Sequence, residues 1–144
     1  MPKGDNSIPD FGHEAHASDR QHAVAALTAF LRARAGGEWS KMCDYLARSN
    51  RRAMEGFARI STEKPTDCGS VLGTLQKKAS AAERADPLTA GVTAFRLKGK
   101  NAFALFYGPK HQQYVMPMVN EAGAWKMTQL AALPYPLGAP AAGP

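Results

Sequence analysis

Apolar residues recur along this chain at two different intervals, and the change between them divides the molecule. In the first half the interval is helical. Ser18 and Gln21 stand at capping-box spacing and Val24, Leu27, Phe30 and Leu31 follow on one face, predicting a helix that Gly36-Gly37 stops. Trp39, Met42, Cys43 and Leu46 lie on one face of a shorter helix beginning near Glu38 or Ser40. Past Ser49-Asn50, which can cap, Met54, Phe57, Ala58 and Ile60 continue an apolar face as far as the break at Pro65. A further helix is predicted from Thr66 or Asp67, with Cys68, Val71, Leu72 and Leu75 inward and Lys77 and Lys78 in its last turns, where cations suit the helix dipole.

After Asp86-Pro87 the interval becomes two. Thr93, Phe95 and Leu97 alternate with Val92, Ala94, Arg96 and Lys98, and Gly99-Lys100 offers a tight turn into a second strand over 102–107. Gly108-Pro109 turns the chain into a third strand at 113–119, and residues 120–123 turn it into a fourth at 125–131. Short turns between four strands imply an antiparallel meander, because parallel neighbours need long crossovers. The class is α+β, helices first and sheet last.

The strands are apolar on both sides. Phe103, Leu105 and Tyr107 oppose Ala102, Ala104 and Phe106, and Tyr114, Met116 and Met118 oppose Val115, Pro117 and Val119. Helices packed on one face leave the other in need of a cover. A second copy of the chain, making a homodimer through the sheet face, is the economical one; the alternative is the C-terminal tail folding back. Pro117 lacks an N–H and is expected at a bulge or an unpaired edge position.

The ends differ in composition from the middle. Residues 1–17 show no apolar periodicity and read as a flexible leader; 134–144 form a Pro/Ala/Gly-rich tail with Tyr135 and Leu137 as anchors; the folded unit is expected over 18–133. With 44% apolar and 21% charged residues, the 144-residue chain can build one packed core, which excludes both wholesale disorder and a second independent domain. No apolar run is long enough to span a bilayer, and the first thirty residues lack the order of a signal peptide. On that composition the chain is cytoplasmic, or an exported protein without its signal.

These residues carry a resemblance. The sequence Ala-Gly-Gly-Glu-Trp at 35–39, Cys43 one helical turn on, Cys68 after a further helix, and Gly-Ala-Trp-Lys-Met at 123–127 in the last hairpin resemble the nuclear transport factor two-like superfamily. The match runs over residues 20–130 and is similar to the small secreted proteins and lipoproteins of that superfamily in actinobacteria. The resemblance implies a cystatin-like cone, a curved antiparallel sheet wrapped on the helices around a pocket, often paired through its outer face. Phe30, Trp39, Phe57, Phe95, Phe103, Tyr114 and Trp125 are the candidate pocket lining, with ordinary core packing as the alternative. Taken alone, Cys43 and Cys68 suit two buried thiols equally well. The resemblance implies that they pair, closing a loop of 25 residues, and with that a secreted or membrane-anchored extracellular protein.

Catalytic motifs mostly fail. Gly69-Ser70-Val71-Leu72-Gly73 lacks the central serine of a nucleophile elbow, no phosphate-binding loop is present, and His13 and His16 stand three apart rather than at the four-residue spacing of a zinc helix, so neither a metal nor a cofactor is expected. The enzyme branch of the superfamily, ketosteroid isomerases and SnoaL-like cyclases, needs a carboxylate or histidine base inside the cone. Beyond Leu88 the only carboxylate is Glu121, in a turn, which leaves Asp44, Glu55, Tyr45, Tyr107 and Tyr114 as substitutes. A net charge of +6 is biased toward the sheet half through Arg96, Lys98, Lys100, Lys110 and Lys126, and Arg48, Arg51 and Arg52 cluster between helices. Such a surface attracts an anionic ligand or anionic surface, or is simply solvated; no nucleic-acid motif accompanies it. The expected function is a noncatalytic exported domain binding a small apolar ligand or a partner protein, with a lyase or isomerase acting on a small carbonyl compound as the alternative.

Overall fold

The computed structural model describes residues 8, 10–60, 67–77, 80–85, 87 and 91–135, excluding the side chains of 57–60, 81, 82 and 91. Helices α1 (Ala17–Ala35), α2 (Trp39–Asp44), α3 (Arg48–Ile60), α4 (Cys68–Gln76) and α5 (Ala81–Ala85) precede a sheet of strands β2 (Gly91–Lys98), β3 (Asn101–Tyr107), β4 (Gln113–Glu121) and β5 (Ala124–Met127). The α+β class and the antiparallel meander are therefore as the change of period predicts.

Helix α1 starts earlier than expected, and the capping box of Ser18 and Gln21 does not form. His16 is the N-cap, with no side-chain cap bond. The start is fixed by a tether instead: Ala15 N donates to Phe95 O at 2.9 Å, and the first helical turn closes as Arg20 N donates to His16 O. At the other end Glu38 N bonds Ala33 O and Gly37 N bonds Arg34 O, a Schellman turn that needs Gly37 in the left-handed region at φ +72°. Ala23, Leu27, Phe30, Leu31, Ala33 and Arg34 are buried, while Val24 is only half-buried.

Helices α2 and α4 meet at close range. A Cβ on Gly69 would stand 2.6 Å from Ser40 Oγ, and one on Gly73 2.8 Å from Trp39 Cδ1. Only glycine permits that approach, and it orients α4. Residues 69, 73 and 76 then share the inner face, so Gln76 is buried and Leu75, expected inward, is 45% exposed. Asp67 caps α4 by accepting from Ser70 N at 2.8 Å, and that bond holds its carboxyl below the ordinary aspartate range. Across the same junction Cys43 and Cys68 form a disulfide with Cα atoms 6.2 Å apart.

Helix α5 was not anticipated by the periodicity. Ser80 caps it through Glu83, and Arg84 lies over the Trp39 ring at 5.5 Å from the centroid. Buried Arg34 donates to Gln76 Oε1 and Arg84 O, while Arg84 donates back to Arg34 O. Burial first, and then the neighbouring Arg84 charge, lower the Arg34 pKa.

The sheet runs β1-β2-β3-β4-β5, all antiparallel; β1 (His13–Glu14) comes from the expected leader, and a further strand on β4, β6 (Leu133–Pro134), straddles the boundary expected between the folded unit and the tail. A bulge between Val92 and Ala94 shifts the register of β2, so that Val92 joins Phe95 and Leu97 in the main core and Thr93 turns out. Pro117 O accepts from both Thr128 N and Thr128 Oγ1, at the point where β5 has ended and β6 has not begun. Its missing N–H therefore breaks no ladder bond. Strand β5 stops at Met127, short of the expected 131.

The helix-facing side of the sheet carries Phe95, Ala102, Ala104, Phe106, Met116, Met118, Trp125 and Met127 into one cluster with α1 and α2. On the other side Leu105 and Val115 are buried beneath Ile8, with Ala94, Phe103, Leu133 and Tyr135 packed around them. Residues 10–16, expected in a flexible leader, are bound to the sheet. Arg96 donates to Phe11 O and Gly12 O, Glu14 Oε2 accepts from Phe95 N at 2.8 Å, and the Phe11 ring meets Phe103 edge-on at 4.9 Å. The face that called for a second copy is covered at its centre from within the chain, partly by the tail as the alternative had it.

Replacing Cys43 and Cys68 together by alanine is expected to lower stability by about 3.5 kcal/mol, the loop-closure value for a 25-residue separation, read as a shift of the urea midpoint. Gly12→Ala places a Cβ 2.1 Å from Leu97 O at φ +52° and is expected to free the first strand. Rapid amide exchange at Ala15 and in the first turn of α1, with exchange in the rest of α1 unchanged, is the measurement that checks it.

Candidate functional site

Of the aromatic residues expected to line a pocket, those whose side chains are described lie in or against the main core, except Phe103. Phe30 and Phe95 are fully buried, Trp125 meets Phe95 edge-on at 5.1 Å, and Tyr114 stacks on Phe106 at 5.7 Å. Trp39 is half-buried between Gly73 and Arg84. All five belong to the main cluster or pack against it. Phe103 lies on the opposite face of the sheet, against Phe11, and the Phe57 side chain is outside the described residues.

Open space lies elsewhere. A solvent-open cleft of ≈ 790 Å³ is lined by the first turns of α3, the Gly99-Lys100 turn between β2 and β3, and the β4–β5 hairpin. Its walls are fixed by backbone bonding. Residues 44–50 leave α2 and run along β5: Met127 N donates to Tyr45 O at 2.7 Å, Ala47 N to Met127 O at 2.8 Å, and Leu46 forms a parallel bridge with Met127. Asn50 Nδ2 donates to Thr128 O, and Lys126 Nζ to Asp44 O at 2.6 Å. Asn120 N donates to Lys100 O and so draws the two turns together. The hairpin itself turns at Ala122 and Gly123, both at positive φ, with Gly123 N donating to Asn120 Oδ1.

Glu121 completes the wall. Its two carboxylate oxygens accept from Arg48 N at 3.1 and 3.0 Å, which caps α3 from across the fold rather than from its own N-cap residue. Ser49-Asn50, expected to cap, lie inside the helix, because Glu121 and the bonds to Met127 start α3 at Arg48.

The cleft is cationic. Among the described residues, Arg48, Arg51, Arg52, Lys100 and Lys126 face it against Glu55 and Glu121, a surplus of three positive charges. Among the described residues, the side chains of Arg48, Arg51, Arg52 and Lys100 form no ion pair or hydrogen bond. Three guanidinium groups and an ammonium thus line one solvent-open cleft, able to bind an anion in paired, charge-assisted hydrogen bonds.

Sequence reading found the arginine cluster and the lysines of the sheet half separately. Nothing in the spacing joins residues 48–52 to Lys100 and Lys126; the pairing of Leu46 with Met127 does. The groups named as substitute catalytic residues are dispersed: Asp44 is exposed, Glu55 faces the cleft, Tyr45 and Tyr114 pack on the main core, and Tyr107 is 39% exposed at the end of β3.

Glu121→Ala removes the acceptor for the α3 amide and is expected to cost about 1 kcal/mol, with faster amide exchange confined to Arg48 and its neighbours. Comparison of the chain with protein-family models, with curated proteins and with solved structures finds no match in any of the three.

Proposed function

We propose that this protein is a noncatalytic binding domain of an oxidising, extracytoplasmic compartment, built on a scaffold of the nuclear transport factor two-like kind and working through the cleft beside α3 rather than through the interior of a cone. One contrast carries this reading. The side of the sheet that faces the helices is filled by Phe95, Phe106, Met116, Met118, Trp125 and Met127, whereas the cleft is open and lined by cations. Those apolar side chains are buried against one another and include no carboxylate or imidazole, so none of them could serve a carbonyl substrate as its base.

The Cys43–Cys68 disulfide supports the compartment, since thiols in a reducing cytoplasm are kept reduced. Among the described residues no helix is long and apolar enough to cross a membrane. The outer sheet face is not the assigned contact, because Ile8, Leu133 and Tyr135 already pack on it.

Alkylation of the protein in its native cells, followed by mass measurement with and without reduction, tests the compartment. Both cysteines are expected to resist alkylation until reduced and the protein to fractionate outside the cytoplasm; a cytoplasmic pool with both thiols alkylated overturns export. Titration with an apolar fluorescent dye tests the site. No saturable signal is expected from the native state, and a saturable dye site abolished by Phe95→Trp would return the ligand to the interior.

A further inference from the structure

We infer that the cleft beside α3 binds a ligand carrying two or more adjacent phosphate groups, an inference that rests on the proposed use of the cleft and names its ligand class. The charge count sets the number of groups. A phosphate monoester carries roughly 1.5 to 2 negative charges near neutral pH, so a surplus of three positive charges is balanced by two phosphates and not by one. A carboxylate ligand would need three charged groups in the same span.

The side-chain chemistry agrees with that choice. Arg48, Arg51 and Arg52 offer planar forks that engage two oxygens of one phosphate, and Lys100 and Lys126 add point charges from the opposite wall. Lys126 is already oriented by its bond to Asp44 O, and Glu121 is occupied by the Arg48 amide, which leaves Glu55 as the one lining carboxylate without a partner among the described residues. Among the described residues, Leu46, Val119 and Ala122 are the apolar lining, so the ligand is recognised through its charged end and not through an apolar body. At ≈ 790 Å³ the cleft falls in the range of small-ligand sites, about 300–1,000 Å³, and far exceeds one phosphate.

A ligand that binds the folded state and not the unfolded one also raises the melting temperature.

The test is calorimetric titration of the oxidised full chain with tripolyphosphate at low salt, with citrate as the carboxylate comparison. Tripolyphosphate is expected to bind with a 1:1 end point and to raise the melting temperature, and Arg51→Ala/Arg52→Ala, on exposed helical positions where alanine is a good helix former, is expected to weaken it about tenfold or more. Arg32→Ala/Lys77→Ala removes the same charge away from the cleft and is expected to leave the affinity within about twofold. Equal weakening by the two double variants overturns the site. Citrate binding as tightly as tripolyphosphate, and lost in Arg51→Ala/Arg52→Ala, overturns the phosphate class while the cleft reading stands; absence of cleft-dependent binding by either anion overturns both. Sedimentation with vesicles of phosphatidic acid in phosphatidylcholine separates the sources: arginine-dependent sedimentation assigns the phosphates to a lipid surface, and tripolyphosphate binding without sedimentation assigns them to a soluble ligand.

Discussion

Strand β3 is apolar on both sides, and a sheet built around it must be covered twice. Phe106, Ala104 and Ala102 face α1 and α2, while Leu105 and Phe103 face away from them. Leaving the second face bare would expose several large side chains to water at about 25 cal/mol per Å². The chain meets this demand with its own ends. Ile8 and Phe11 come from one side and Leu133 and Tyr135 from the other, and Arg96 holds the first segment down through the carbonyls of Phe11 and Gly12. Ile8, residues 10–16 and residues 133–135 are thereby committed to the sheet, and an open cleft lies at the hairpin end, beside α3.

That cleft depends on a chain of local attachments. Gly69 and Gly73 let α4 press on Ser40 and Trp39, and the disulfide joins the same two helices, so α2 is held in place. From there residues 44–50 run along β5 through Tyr45, Ala47 and Asn50, and Glu121 receives the first amide of α3. The arginines of α3 are therefore positioned by the sheet, and the lysines of the sheet by the same contacts in reverse. A solvated helix face becomes one wall of a site because its first turn is bonded to a hairpin more than seventy residues away.

Local signals were reliable where the physics was local. The Gly36-Gly37 stop, the start of a helix near Asp67, the Gly99-Lys100 turn and the two-sided strands depend on few residues in sequence, and each stands as predicted. The misplaced features share a different cause. Ser18 lost its capping role because β1 sets where α1 begins, Leu75 faces water because glycine contacts rotate α4, and Ser49-Asn50 fell inside α3 because a remote carboxylate starts it. In each case a tertiary contact outweighed a propensity that is worth about 1 kcal/mol or less.

The amino-acid sequence alone determined the class, the order of elements, the two apolar faces of the sheet and the presence of a basic surplus, since these follow from period, turn chemistry and composition. It left open whether Cys43 and Cys68 pair, what covers the outer face, and whether the arginines and lysines meet. Those depend on which segments lie side by side, and side-by-side placement is decided by packing and by long-range backbone hydrogen bonds that no short window of residues contains. Phe30, Phe95 and Trp125 had core spacing and went to the core; the cations of α3 and those of the sheet had no spacing in common, and the pairing of Leu46 with Met127, the Glu121 bonds to Arg48 and the Asn120 bond to Lys100 brought them to one cleft.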